Sequence, residues 1–177
     1  DKNMNPVSEH STYLVSKKAQ EMHKSLIVGD WHADSALWNR DLKKTHDYGH
    51  VDIPRLQKGN VALQMFTTVT KSPAGQNYEK NNSDSRDNIT ALAIVQRWPI
   101  KTWFSLYERA LYQSNKIVSL AERDPENFML IRSQNDLDIF LLKRKSKPRL
   151  VGGLIGTEGS HALDGSIGNI ENLYKNG

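Results

Sequence analysis

The fold of this chain is decided by the stretch Leu26-Ile27-Val28-Gly29-Asp30-Trp31-His32-Ala33-Asp34. Its three branched apolar residues predict a strand buried on both faces, as in a parallel sheet. The stretch then delivers a histidine and an aspartate two positions apart. In an extended segment such positions share a face, so we expect His32 and Asp34 to aim an imidazole and a carboxylate at one point. A divalent metal of the zinc type takes both donors.

The His-x-Asp spacing is a short motif, so these residues alone leave a second interpretation open. A histidine and an aspartate can also simply hydrogen-bond to one another in a loop. The position at the exit of a predicted strand favours the metal pair, because side chains at such exits converge on one end of a sheet.

Composition limits the remaining choices. A chain of 177 residues fits one domain with a sizeable core. We therefore expect a single domain over 1–177, with an irregular lead-in at 1–15 and a surface loop at 70–88. The absence of cysteine excludes a disulfide scaffold and thiolate ligands, so any metal must bind His, Asp or Glu.

The charge pattern bears on the partners. The net charge of +4 is spread along the chain, which indicates solubility and no nucleic-acid footprint. No apolar run reaches membrane-spanning length, so we expect no membrane segment in residues 1–177. The compartment stays open between the cell envelope and the cytoplasm.

Strands and helices are predicted to alternate along the chain. Apolar periodicity and turn residues predict strands at 26–30, 61–66, 128–131 and 150–158. They also predict helices over 16–24, 89–97, 101–122 and 134–144, and a final helix opening at 165–168. Ser133 is predicted to cap the helix over 134–144, and Asp52 to cap a short helix that follows it. Such alternation indicates a parallel sheet with right-handed crossovers. We predict an α/β fold that forms the N-terminal half of a metal-dependent (β/α)8 TIM-type barrel, with an open doubly wound sheet as the alternative.

The fourth predicted strand ends in an acidic residue, Glu158, which can serve this strand as His32 and Asp34 serve the first. His161 lies three residues further on, in a predicted loop, and is not counted as a ligand. His46 and His50 have the spacing of a helical metal pair, but Gly49 between them favours a polar loop. No glycine pattern matches a dinucleotide or phosphate-binding loop.

Four stretches together resemble one family. They are Asp30-Trp31-His32-Ala33-Asp34, Tyr48-Gly49-His50-Val51-Asp52-Ile53-Pro54-Arg55-Leu56, Gly59-Asn60-Val61-Ala62-Leu63-Gln64 and Ile155-Gly156-Thr157-Glu158-Gly159-Ser160-His161. In this order they resemble the membrane (renal) dipeptidases, which are binuclear zinc hydrolases on an amidohydrolase-type barrel. The resemblance runs from about residue 16 to the end of the chain.

The resemblance implies a zinc dipeptidase that hydrolyses dipeptides through a metal-bridging hydroxide. It implies that His32 and Asp34 are metal ligands and that Glu158 bridges two zinc ions per intact subunit. The family's two further histidine ligands, a substrate-contacting histidine and a late aspartate have no counterpart in residues 1–177. The substrate-binding residues therefore stay unassigned, and a homodimer is one assembly left open.

The sequence departs from the family at Trp31 and Ala33, where glycine and asparagine are common. Both positions are expected to lie off the metal-facing side. Two other functions stay open. One is a different metal-dependent amide or ester hydrolase on the same barrel, and the other is a non-catalytic fragment whose basic run at 143–149 binds an acidic partner.

The ligand count generates a first prediction. Residues 1–177 supply one imidazole and two carboxylates for the two zinc ions that the resemblance implies, whereas each stable zinc site takes four donors, or three and a water. The predicted half-barrel also leaves the edges of its first and fourth strands unpaired, and such edges recruit other chains. We expect isolated 1–177 to be inactive, to bind zinc weakly and to self-associate in sedimentation experiments. A zinc-loaded monomer that turns over a dipeptide about once per second or faster would contradict this expectation.

Overall fold

A computed structural model describes residues 1–80, 82 and 84–177. Within them the strands are β1 (Val28–Ala33), β2 (Val61–Thr68), β3 (Phe128–Leu130) and β4 (Val151–Thr157). The α-helices are α1 (Lys17–Ser25), α2 (Ile53–Lys58), α3 (Asn88–Val95), α4 (Lys101–Phe104), α5 (Leu106–Arg123), α6 (Gln134–Ser146) and α7 (Asn169–Lys175). Short 3-10 helices, Ser35–Leu37 and Ser160–Leu163, follow β1 and β4. This alternation confirms the predicted α/β class.

The structure describes most of the predicted loop at 70–88, and the described part is irregular up to the start of α3. Residues 70–80, 82 and 84–87 lie outside all helices and strands, while positions 81 and 83 lie outside the described residues. No described helix is both long enough and apolar enough to cross a bilayer.

Short polar side chains set the helix starts. Ser16, Asp52, Asp87, Ser105 and Ser133 each accept a hydrogen bond from a backbone N–H in the first turn of the helix that follows. The caps predicted at Asp52 and Ser133 are therefore confirmed. The single helix predicted over 101–122 is wrong, because Ser105 is extended (φ −126°, ψ 125°) and separates α4 from α5.

The four strands form one parallel sheet in the order β1-β2-β4-β3. The unpaired edges are therefore β1 and β3, and the expectation that the fourth strand forms an edge is wrong for its first half. β3 pairs with Val151, Gly152 and Gly153 of β4. Glycine at 153 permits this neighbour, because a Cβ there would lie 2.1 Å from the ring of Phe128.

Apolar residues cover the two faces of the sheet differently. Phe66 of β2 and Val151 of β4 pack with residues of α2 and α5. Leu63 and Leu154, which alternate with them along the strands, pack with Phe140 of α6. In the order β1-β2-β4-β3 the chain moves across the sheet in one sense from β1 to β3 and then steps back to place β4. Because the connection from β3 to β4 runs in the opposite sense, a right-handed crossover carries α6 to the opposite face of the sheet.

The first strand is shifted and more exposed than the sequence indicates. It runs over Val28–Ala33 instead of 26–30, and Leu26 and Ile27 are 50% and 63% exposed. The prediction of a strand buried on both faces is wrong here, because Ala33 is the one buried residue among the six of β1, which lies at an edge of the sheet. α1, which precedes it, also has no buried residue.

Three polar side chains on one face of α5 point into the protein and hold loop backbone. Arg109, Gln113 and Lys116 are spaced i, i+4 and i+7, so they share one side of the helix. Gln113 is fully buried and makes two hydrogen bonds to Val69, accepting from its N–H at 3.1 Å and donating to its C=O at 2.9 Å. This pair ties α5 to the end of β2.

Arg109 is the centre of a buried polar network around the 70–88 loop. Its guanidinium donates to the carbonyls of Thr70 (2.7 Å) and Thr102 (2.6 Å) and to the carboxylate of Asp87 (2.5 Å). Burial by itself would raise the pKa of Asp87. Donors from Ser72, Thr90, Arg109 and Ile89 outweigh it and hold that pKa below its ordinary value. The network therefore favours the charged carboxylate.

This network predicts the effect of neutralising Asp87. A carboxylate whose pKa is lowered in the folded state stabilises the protein above its unfolded pKa, and that contribution is lost as the pH falls through the folded pKa. Asp87→Asn leaves Arg109 without a buried counter-charge, so we expect about 3 kcal/mol of lost stability at pH 7. Urea unfolding of the full-length protein should show that the difference in free energy of unfolding between the parent and Asp87→Asn, the stability gap, narrows as the pH falls from 6 to 3.

Asp138→Asn is the matched control, because Asp138 is an exposed carboxylate on α6 that accepts one hydrogen bond from Gln134. We expect this variant to lie within about 0.5 kcal/mol of the parent protein. A gap for Asp87→Asn that is absent at pH 7, or that is unchanged at pH 3, would contradict the assignment.

Candidate metal centre

The three residues singled out as metal ligands meet at one end of the sheet. One donor atom each from His32, Asp34 and Glu158 lies within 4.8 Å of the other two. Across residues 1–80, 82 and 84–177, this is the one group of three or more His, Asp or Glu donors drawn together in this way. Residues 126 positions apart in sequence are thus neighbours in the fold.

Parallel strand pairing produces this meeting. β2 lies between β1 and β4, with Ala33 opposite Phe66 on one side and Thr68 opposite Thr157 on the other. All three strands run in the same direction, so the residues that follow them emerge at the same edge. Glu158 extends the ladder by one residue, since its N–H donates to the carbonyl of Thr68 at 3.1 Å.

An irregularity in β1 lies beside His32. From Asp30 to Ala33 the strand advances three residues, while its partner β2 advances two, from Gln64 to Phe66. An extra residue of this kind is a bulge, which bends a strand and redirects a side chain. The N–H of His32 donates to the carboxylate of Asp30 at 3.1 Å within the bulged segment.

His32 and Asp34 converge as the sequence predicts. The Nε2 atom of His32 lies 3.4 Å from Oδ1 of Asp34. Donors bound to one tetrahedral zinc at ~2.1 Å are separated by about this distance. Both side chains remain open to solvent, at 56% and 38% exposure. A metal and a substrate can therefore reach them from outside.

Glu158 is released from the sheet by the glycine after it. Gly159 has φ +73°, a conformation that side chains with a Cβ rarely adopt, and the chain turns there into the 3-10 helix Ser160–Leu163. His161 lies on that helix, outside the group of three donors. The structure thus separates Glu158 from its histidine neighbour.

The donor set matches the chemistry of zinc. One imidazole nitrogen and two carboxylates are ligands that Zn²⁺ accepts, and three protein ligands with an open position are typical of catalytic zinc sites. The two carboxylates also offset the charge of a divalent ion. These residues therefore fit the cofactor that the sequence implies.

The remaining histidines with metal-like spacing lie elsewhere. His46 and His50 lie in the irregular segment before α2, which confirms the predicted polar loop. The ring of His46 lies 3.2 Å from the carbonyl of Asp41 and tilts against Tyr48. The Tyr48–Leu56 motif contains the start of α2. Its Asp52 is buried, caps that helix and pairs with Arg55.

Two further residues lie close to the metal group, and neither is apparent from the sequence: Thr67 contacts Asp34, and Lys116 contacts the segment that follows Asp34. The hydroxyl of Thr67 on β2 donates to Oδ1 of Asp34. The ammonium of Lys116 donates to the carbonyls of Ala36 (3.0 Å) and Trp38 (3.2 Å), and burial lowers its pKa to about 8. The end of β2, in register with the two ligand-bearing strands, is the signal that would have found Thr67.

The basic run at 143–149 is the C-terminal end of α6 and the turn after it. Lys147 pairs with Glu126, and Arg144 donates to the carbonyl of Leu150 and lies 5.8 Å from the ring centre of Phe140. Two of the five basic side chains are thus engaged within the chain. The run precedes β4 in the chain, whereas the metal group lies at the carboxyl ends of β1 and β4.

Comparison with known proteins agrees with the resemblance found in the four motifs. A sequence profile for the membrane dipeptidases (peptidase family M19) matches residues 16–177. No curated protein matches the chain. The matched range contains all four strands of the sheet and the three residues of the metal group. The chain therefore belongs to the membrane dipeptidase family.

Proposed function

We propose that this chain is part of a zinc-dependent dipeptidase that hydrolyses the peptide bond of dipeptides. The observation that carries the proposal is the convergence of His32, Asp34 and Glu158 within 4.8 Å at the carboxyl edge of a parallel sheet. We assign His32 and Asp34 as ligands and Glu158 as the carboxylate shared by two ions. Membership of a dipeptidase family supports the substrate class.

The residues of this chain have distinct parts in that activity. His32 and Asp34 would hold the ion. Glu158 places a negative charge opposite them, which lowers the net charge of the site and favours release of an anionic product. Zinc, when bound, supplies a Lewis acid that lowers the pKa of water and polarises the peptide carbonyl.

The position of the group in the fold supports catalysis. In parallel α/β sheets and barrels, active sites lie at the carboxyl ends of the strands. Here the irregular segment 38–52 follows β1 and the 3-10 helix at Ser35–Leu37, and the loop 70–88 follows β2. Both therefore start at the edge where the metal group lies. Loops that surround such an edge commonly determine substrate choice.

The first test removes one ligand of the pair in the full-length protein. We expect His32→Ala and Asp34→Ala each to empty one of two zinc positions in elemental analysis. Metal-based stabilisation is worth several kcal/mol, so dipeptide kcat/KM should fall about 1,000-fold or more. His50→Ala, an exposed histidine in the loop before α2, is the control and should keep both metal and activity. Two zinc ions per chain and retained turnover in His32→Ala would contradict the assignment.

The second test separates Glu158 from His161. Glu158→Gln keeps the side-chain volume but removes a charge that two ions are proposed to share, so both zinc positions should weaken together. His161→Ala should keep nearly full metal content. Equal zinc loss in the two variants would show that Glu158 is not the shared ligand. Activity of the parent protein on other amides or esters, without dipeptide hydrolysis, would favour a different hydrolase on the same site.

A further inference from the structure

The hydroxyl of Thr67 makes a direct contact with the proposed metal group. Thr67 lies on β2, the strand between the two that carry the ligands, and its side chain is buried at 6% exposure. Its Oγ1 donates a hydrogen bond to Oδ1 of Asp34. That oxygen is also the one that lies 3.4 Å from Nε2 of His32.

This contact constrains the carboxylate from the rigid side of the site. Asp34 follows β1 and has left the extended conformation (φ −85°, ψ 28°), so the strand itself does not fix its side chain. Thr67 is within a regular ladder, opposite Gly156 of β4, and its β-branched side chain has few χ1 rotamers. The hydroxyl therefore ties the less constrained ligand to the central strand.

One oxygen of a carboxylate can accept a hydrogen bond and still bind a cation, because each oxygen has two lone pairs. Outer-sphere hydrogen bonds of this kind orient metal ligands, and their loss costs about 10- to 100-fold in metal affinity. The contact is therefore able to support metal binding while it orients Asp34.

We propose that Thr67 is a positioning residue that holds the Asp34 carboxylate facing His32, and so raises the affinity of this site for zinc. This inference rests on the proposed function, because it needs Asp34 to bind the ion. Thr67 does not itself bind the metal in this assignment.

The experiment measures zinc affinity of the metal-free, full-length protein by competition with a chromophoric chelator. Thr67→Val keeps the shape but removes the hydroxyl, and should weaken zinc binding about 10-fold. Thr67→Ser restores the hydroxyl and should lie within about threefold of the parent. The melting temperature of the metal-free Thr67→Val protein should change little, because Asp34 is 38% exposed and water can replace the lost donor.

Thr68→Val is the matched control. Thr68 is the next residue on β2, and its buried Oγ1 has no hydrogen-bond partner among the described residues. Removing that hydroxyl should leave zinc affinity unchanged. An equal loss in Thr67→Val and Thr68→Val, or a loss in Thr67→Val that Thr67→Ser does not restore, would overturn the positioning role.

His32→Ala, measured in the same assay, distinguishes failure of the role of Thr67 from failure of the metal assignment. Zinc loss in His32→Ala with parent-like affinity in Thr67→Val would overturn the role of Thr67 and leave the metal site standing. Parent-like zinc affinity in both variants would overturn the metal assignment itself.

Discussion

One face of α5 fixes the loops that leave the carboxyl edge of the sheet. Gln113 holds both backbone groups of Val69, and Arg109 binds the carbonyl of Thr70, so the end of β2 is tied to the helix. Lys116 does the same for the segment after Asp34. A buried carbonyl without a partner costs free energy, so these donors stabilise the backbone on which the metal group rests.

The position of the metal group follows from strand direction and register. Because β1, β2 and β4 are parallel and lie side by side, their carboxyl ends bring His32, Asp34 and Glu158 together although β1 and β4 are not hydrogen-bonded to each other. The insertion of β4 next to β2 is essential to this result. If β3 lay between β2 and β4, one more strand spacing of about 4.8 Å would separate Glu158 from His32 and Asp34.

The unusual strand order also explains why α6 packs apart from α2 and α5. The chain steps back across the sheet from β3 to β4, and a right-handed crossover in that sense lies on the other face of the sheet. There Phe140 packs in one apolar cluster with Leu63 of β2 and Leu154 of β4.

The sequence by itself determined the alternation of strands and helices, the caps at Asp52 and Ser133, and the residues of the metal group, because these depend on local periodicity and on chemistry near strand ends. Tertiary structure alone decided that Leu26 and Ile27, which precede β1, are exposed, since burial depends on which elements pack against a segment. It also decided the strand order and the partners of α5 and Thr67. Polar side chains on a helix or strand look solvent-facing in a sequence, and only the fold supplies the distant carbonyls and carboxylates that they bind.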